Sequence, residues 1–287
     1  MTGKICLNVL LVFNPVSGSY SRQLLDCLAS EFGAQGHSIS LIDSWQIGFA
    51  AELVCAELVC VVGGDGTLRD VIAQLEGHAN LPVCIYPAGT INLIAREVGY
   101  MRHVSRFVTR VTAGFPCRSH YFGSIDSKPF LACASVGPDS LAVAAVSVGL
   151  KQRIGRFAYV VSFIRLLWSW PQMDLRVSAN SRIYQCEAAF VLKGRFFAGP
   201  WTLASQANLC APEFHLLLLP QARRRDYLQL LLYAMLGSYF ESSAWKRLRC
   251  TDVKIDSNVL HPVQADGDIA ANLPVHFVMQ NIAVRFA

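Results

Sequence analysis

Three uninterrupted apolar runs, each stopped by a polar loop of small residues, constrain this chain more than any other feature. Val9-Leu10-Leu11-Val12-Phe13 ends in Asn14-Pro15-Val16-Ser17-Gly18. Leu58-Val59-Cys60-Val61-Val62 ends in Gly63-Gly64-Asp65-Gly66-Thr67, and Val83-Cys84-Ile85-Tyr86 ends in Pro87-Ala88-Gly89-Thr90-Ile91-Asn92. A strand with no polar face belongs in a parallel sheet covered by helices. Apolar spacing predicts helices over 20–32, 49–56 and 68–75, with a further short strand at 39–42. The alternation predicts an α/β unit with a parallel sheet and helices on both faces. Ligands of such sheets lie outside the carboxyl ends of the strands, so the three loops belong on one rim.

After residue 115 the texture changes. A hairpin is predicted from 121–125 and 128–133 around Asp126-Ser127. Short strands follow at 174–178, 184–192, 215–219, 253–255, 275–279 and 283–286, with helices at 140–150, 156–168 and 227–236. This pattern predicts a β-rich, sandwich-like second domain. The expected division is 1–118 and 119–287, with the return of the last residues to the first domain left open.

The loops suit phosphate chemistry. Three glycines in Gly63-Gly64-Asp65-Gly66 let backbone N–H groups come close to phosphate oxygens, and the helix that follows adds its positive end. Asp65 is the odd member, because a carboxylate does not bind phosphate. It would hold Mg²⁺ or accept a proton from an attacking hydroxyl. Arg96, one turn past the third loop, can face back to it. Walker A and G-x-G-x-x-G patterns are missing, so P-loop and Rossmann readings fail. Asp266 and Asp268 flank Gly267, and in an extended segment they would point the same way as a carboxylate pair.

Six motifs in order resemble the diacylglycerol kinase catalytic-domain family, which is more distantly similar to NAD kinases. They are Asn14-Pro-x-Ser-Gly18, Gly63-Gly-Asp-Gly-Thr67, and Pro87-x-Gly-Thr-x-Asn92 with Ala95-Arg96. Val136-Gly137-Pro138-Asp139, Gly155-Arg156-x-x-Tyr159 and Gln264-Ala265-Asp266-Gly267-Asp268 complete the set. The resemblance implies a lipid kinase that uses ATP and Mg²⁺, with its active site in an interdomain cleft. It implies nucleotide contacts from Asn14, Pro15, Val16, Ser17 and Gly18, from Gly63, Gly64, Asp65, Gly66, Thr67, Leu68 and Arg69, and from Gly89, Thr90, Asn92 and Arg96. Ser44 stands where relatives have a nucleotide-contacting Thr. Asp268 takes the place of the general base, with Asp266 beside it, and the second domain would hold the acyl chains.

Three departures temper that picture. An acid of the family's third motif is replaced by Leu93, and the base segment ends in Asp268, one CH₂ shorter than Glu. The resemblance also implies a structural Mg²⁺ in an Asp-Gly loop before a strand. The matching stretch is Cys210-Ala211-Pro212-Glu213-Phe214-His215, and Ala211 has no side-chain oxygen to offer. This metal is therefore expected to be absent, with Glu213 as the residue that could compensate. The departures keep open a catalytically impaired nucleotide- or lipid-binding homologue. A kinase of a soluble metabolite is the third reading.

Charge and hydropathy bear on partners. Residues 1–115 carry 7 Lys and Arg against 9 Asp and Glu, a balance of −2, while 116–287 carry 18 against 11, a balance of +7. The basic half suits an anionic lipid surface, and Arg223-Arg224-Arg225 beside the apolar 227–236 segment is the candidate contact. No basic run is interleaved with aromatics, so no nucleic-acid partner is expected. A homodimer is left open. The chain is 53% hydrophobic, yet its best candidate span, 227–240, has 14 residues and falls short of a bilayer crossing. Ten cysteines without CxxC or ligand spacing read as thiols of a reducing compartment, so the chain is expected in the cytoplasm, with peripheral membrane contact.

Overall fold

The structure, a computed structural model, describes residues 6–45, 50–75, 78, 80–113, 117–146, 157–237 and 241–287. The chain forms two compact units, Met1–His120 with Ile282–Ala287, and Tyr121–Asn281.

The first unit runs β1 (Asn8–Phe13), α1 (Arg22–Ala34), β2 (Ser38–Asp43), α2 (Ala50–Cys55), β3 (Leu58–Gly63), α3 (Asp65–Gln74), β4 (Val83–Pro87), α4 (Leu93–Val98) and α5 (Val104–Thr112). Its strands lie in the order β2-β1-β3-β4, all parallel, as the apolar runs predict. Every residue of β3 and β4 is buried, which is why neither alternates polar and apolar positions. The register decides where the loops go. Phe13 pairs with Val62, and Gly63 pairs with Pro87, so the three carboxyl ends stop at one level. α1 starts at Ser21, whose hydroxyl accepts the Leu24 N–H at 3.1 Å, and it buries Leu25, Leu28 and Phe32. Each such side chain contributes about 1.5–3 kcal/mol. The chain's last residues complete this unit. Phe286 pairs with Val83, and the Ala287 N–H donates to Val83 O at 3.0 Å.

The second unit begins within β5 (Arg118–Ile125). It continues with β6 (Lys128–Phe130), β7 (Cys133–Val136), α6 (Pro138–Ala144), α7 (Phe157–Leu166), β8 (Leu175–Ala179), β9 (Arg182–Cys186), β10 (Ala188–Leu192) and β11 (Phe214–Leu219). Then come α8 (Arg224–Leu236), β12 (Lys246–Cys250), β13 (Asp252–Asp256), β14 (Pro262–Ala265), β15 (Asp268–Asn272) and β16 (Val275–Phe286). One antiparallel sheet has the order β12-β11-β10-β7-β14-β15. The other joins β16, β13, β8 and β9, with β5 pairing β16 and β6. Both sheets feed one core, including Val136, Val191 and Leu216 from the first and Val177, Ile255 and Phe277 from the second. This is the sandwich the sequence predicts.

Several expected elements are corrected. The expected strand 128–133 is two, β6 and β7, and 184–192 is β9 and β10. The second break falls at Glu187, whose carboxylate leaves the ladder to accept the Ala222 N–H at 2.8 Å. The expected strands 275–279 and 283–286 are one, β16. β12, β14 and β15 were not expected at all. The expected loop 63–67 is helical from Asp65 onward. Asp126 and Ser127 have φ of 46° and 73°, the two positive values of a type I′ hairpin turn. Of the expected elements, residue 49 and residues 147–156, with the Gly155-Arg156 motif, lie outside the described residues.

Candidate active site

The three loops of the first unit are bonded to one another. Asn14 Nδ2 donates to Thr67 Oγ1 at 2.9 Å, which ties the first loop to α3. The Ser19 N–H donates to Ala88 O at 2.8 Å, which ties the first loop to the third. The N–H groups of Ala88 and Gly89 both reach Gly63 O, at 2.9 and 3.1 Å, which ties the third to the second. The backbones of Gly64 and Gly89 come so close that a Cβ on Gly64 would stand 3.1 Å from Gly89 Cα. A Cβ on Gly18 would meet Thr90 Oγ1 at 3.4 Å. Where Gly64 meets Gly89 the floor of the rim is thus backbone.

Asp65 supports this floor. It is buried, and its two carboxylate oxygens accept the N–H groups of Leu93 at 2.7 Å and Ile94 at 3.0 Å. It therefore caps α4 from another loop, because the residue at the cap itself is occupied elsewhere. Asn92 holds that position with φ of 57°. Its side chain turns back to Gly89, accepting its N–H at 2.9 Å and donating to its carbonyl at 2.7 Å. Arg102 Nη2 donates to the same carbonyl at 2.7 Å. Sequence reasoning missed Arg102, which lies beyond every motif.

The other expected nucleotide residues divide into two groups. Pro15, Val16 and Gly18 are exposed at the tip of the first loop, whose flanking residues Phe13 and Tyr20 stack their rings on each other. Ser17 is half-buried, and its N–H folds back to Asn14 O at 3.1 Å. Ser44, at the end of β2, donates its N–H to Phe13 O at 2.8 Å. Gly64, Gly66 and Thr67 lie at the start of α3, whose first N–H groups have no partner within the helix and no capping side chain at Gly64. Leu68 is placed differently from its neighbours in the loop. Its side chain is fully buried and its N–H bonds Gly64 O, so it belongs to the core. Arg69 lies 3.3 Å from Asp70, and Arg96 is exposed on α4.

In the second unit the downstream motifs share one buried network. Tyr227 OH donates to Asp139 Oδ1 at 2.6 Å, and Ser135 Oγ donates to Asp139 Oδ2. Gln264 Nε2 donates to Ser135 Oγ at 2.7 Å, and Gln264 Oε1 accepts the Gly267 N–H at 3.1 Å. Tyr159 OH closes on Gly267 O at 3.0 Å. Burial lifts the Asp139 carboxyl above its usual range, while the bonds from Ser135 and Tyr227 pull it back. Burial likewise pushes the Tyr227 phenol well up, helped by the charge of Asp139.

The product of this network is a rigid turn, and it corrects the carboxylate pair. Asp266 and Gly267 have φ of 50° and 89°, so they form a two-residue hairpin turn between β14 and β15. Asp266 points into the protein. Its oxygens accept the N–H groups of Leu131 and Ala132 at 2.8 Å each and of Cys133 at 3.2 Å. It is a structural anchor, and the extended same-facing arrangement does not exist. Asp268 follows as the first residue of β15, half-buried.

The Mg²⁺ expected near Asp65 would have few protein ligands. Among the described residues no group of three or more His, Cys, Asp or Glu is placed to hold an ion. Glu213, the residue that could compensate for Ala211, lies 3.4 Å from Arg249 and 3.7 Å from His215.

Residues 8–116 match the model of the diacylglycerol kinase catalytic domain, and residues 132–286 match that of the YegS C-terminal NAD kinase beta sandwich-like domain. The chain belongs to the diacylglycerol kinase catalytic-domain family. A Staphylococcus carnosus protein described as a diacylglycerol kinase is 25% identical over 93% of this chain and 90% of its own length. A Staphylococcus aureus diacylglycerol kinase is 23% identical over 93% and 88%. Two solved structures from Bacillus anthracis share the fold. One, described as a diacylglycerol kinase, overlays with a TM-score of 0.69 at 15% identity over 97% of this chain and 96% of its own. Another reaches 0.78 at 15% identity over 99% and 96%. The family resemblance read from the six motifs therefore holds. Membership of this family supports a phosphotransferase with an alcohol group as acceptor, of the lipid kinase kind.

Proposed function

We propose that this family member transfers the γ-phosphate of ATP to a hydroxyl of a diacylglycerol-like or sphingoid-like lipid. The observation that carries the reading is the backbone floor where Gly64 meets Gly89. Phosphate groups need closely approaching N–H donors and no side chains in the way. The N–H groups at the start of α3, which have no acceptor within the helix, would supply donors, and Asn14, Thr67, Asn92 and Arg102 hold the loops that frame them. Asp65 acts in this reading as a positioning residue, since α4 amides occupy both of its oxygens. Bound Mg²⁺ would neutralise charge on the phosphates. With no cluster of three acidic, His or Cys ligands among the described residues, it would be held largely by phosphate oxygens and water. Asp268 is the proposed general base, accepting the proton of the acceptor hydroxyl on its carboxylate.

The acceptor side draws support from the surface of the second unit. The outward positions of α8 are Arg224, Arg225, Leu228, Leu232, Met235 and Leu236. A surface helix ordinarily carries polar residues there. Here a basic start is followed by an apolar row, the pattern of a helix lying on an anionic bilayer surface. No helix among the described residues is long and apolar enough to cross a membrane. All ten cysteines are free thiols, which supports a cytoplasmic site of action.

The test is labelled ATP offered with a panel of lipid alcohols and soluble alcohols, with and without Mg²⁺. Transfer to a lipid hydroxyl that disappears in Asp268→Ala is the expected result. ATP binding without transfer to any acceptor would identify the impaired homologue instead. Transfer to soluble alcohols alone would replace the lipid reading.

A further inference from the structure

The segment leading into β11 contains Asn208-Leu209-Cys210-Ala211, and three of its carbonyls converge on one point. The group at that point is the ammonium of Lys193. Its Nζ donates to Asn208 O at 2.8 Å, Leu209 O at 3.1 Å and Ala211 O at 2.8 Å. Lys193 is 0% exposed, a rare state for a lysine, and its three N–H donors match the three oxygens one for one. Carbonyl oxygens gathered around one cation are also the donor chemistry of a hard metal site. This is the stretch in which the resemblance implies a structural Mg²⁺. The residues do not fit that ion. Ala211 brings only its backbone oxygen, and the ammonium already occupies the oxygens. A divalent ion on the same oxygens would stand against a like charge.

We infer that Lys193 is a built-in cation that takes the place of a divalent metal in the 208–211 loop. The second unit then keeps its fold without bound metal, and any Mg²⁺ the protein uses arrives with the nucleotide.

The backbone of Lys193 extends the effect. Its N–H and that of Gly194 both donate to Ala132 O, at 2.8 and 2.9 Å. The N–H of Ala132 is in turn held by Asp266 Oδ1 at 2.8 Å. The ammonium is therefore connected through two residues to the turn that presents Asp268. In this respect Lys193 is a positioning residue for the proposed base, and that part rests on the kinase reading above.

The metal claim is tested on the native protein without nucleotide or substrate, so its failure is distinct from failure of the kinase reading. Purified protein dialysed against EDTA is analysed for Mg²⁺ and Ca²⁺ and then melted. The expected result is no stoichiometric metal and a melting temperature unchanged by EDTA or by added divalent ion. One equivalent of retained metal, or a melting temperature that falls in EDTA, overturns the inference. Lys193→Ala should melt about 5 °C or more below native, because three carbonyls, one of them fully buried, lose their partner. Its melting temperature should also rise with millimolar Ca²⁺, which the vacated oxygens would now bind. A variant that melts as native, or ignores Ca²⁺, counts against the cation role. If Lys193→Ala does not fold, the native metal analysis decides alone. For the positioning role, Lys193→Ala should lower kcat while leaving the Kd for ATP unchanged. An unchanged kcat refutes that part only.

Discussion

Gly64 and Gly89, 25 positions apart, touch through their backbones at the carboxyl ends of β3 and β4. A Cβ on Gly89 would also meet Asn92 Oδ1 at 2.8 Å and Gly64 N at 3.1 Å. None of these neighbours is a flexible tip that can swing away. Gly89→Ala should therefore cost about 1–3 kcal/mol of stability and abolish ATP binding, because the loops must part to admit the methyl. Thermal melting and calorimetric titration with ATP check this. A variant that binds ATP normally would show that the glycine pair does not form the phosphate floor.

The two carboxylates of the 266–268 turn should separate cleanly under mutation. Asp266→Ala removes the acceptor for three backbone N–H groups, so it should destabilise the protein by about 3 kcal/mol. Asp268→Ala should cost much less stability than Asp266→Ala and reduce kcat by about 10²-fold or more, with the Kd for ATP retained. Melting curves and steady-state kinetics on both variants check the pair. Equal losses of stability would refute the division of labour.

Acid should weaken the second unit through His215. Its ring is half-buried on β11, and its Nε2 makes no hydrogen bond, with Glu213 3.7 Å away. Burial holds its pKa below the ordinary value, Arg249, Lys193 and Arg247 push the same way, and Glu213 opposes them. Burial also lowers the pKa of His261. A histidine depressed in the folded state binds fewer protons there than in the unfolded chain. Its contribution is present above the unfolded pKa of about 6.5 and is lost as pH falls from there toward the folded pKa. The raised Asp139 carboxyl acts in the opposite sense once acid protonates it, so the comparison must be between variants. Melting from pH 8 to 5 should fall less in His215→Gln than in the native protein. Parallel curves would remove His215 from the account.

The outward row of α8 gives a fourth prediction. Arg224→Glu with Arg225→Glu should weaken binding to vesicles containing anionic lipid by about tenfold or more, at roughly 1 kcal/mol per basic residue. Leu232→Glu should weaken binding to neutral and anionic vesicles alike. Cosedimentation measures both. Native binding in all variants would move the membrane contact elsewhere or leave the row to a second copy of the chain.

What could be read before the structure follows from what each signal depends on. β1, β3 and β4 were legible because a fully buried strand records its environment in every residue, and their loops were legible because only small residues fit there. β12, with Lys246, Arg247 and Arg249 in a five-residue strand, has no such record, since its neighbour β11 defines it. Asp65 was legible as unusual but not in its use. Its partners, Leu93 and Ile94, lie 28 and 29 positions away, and periodicity does not report backbone amides. Asp266 was misread because side-chain alternation assumes an extended chain, and Asp-Gly between strands is a strong turn signal that outweighs it. Lys193 gave no sign at all in an apolar context, because an ammonium among carbonyls needs no acid nearby.

The pairing of Phe286 and Ala287 with Val83 affects how the protein is born. Domains generally fold as they leave the ribosome, the first one first. Here the unit encoded first lacks part of its edge until residues 282–287 emerge, after the whole of 121–281 has been translated. Order of synthesis and order of completion are reversed. A nascent chain stalled anywhere in the second unit would expose the β4 edge of the first, and with it an open invitation to mispair.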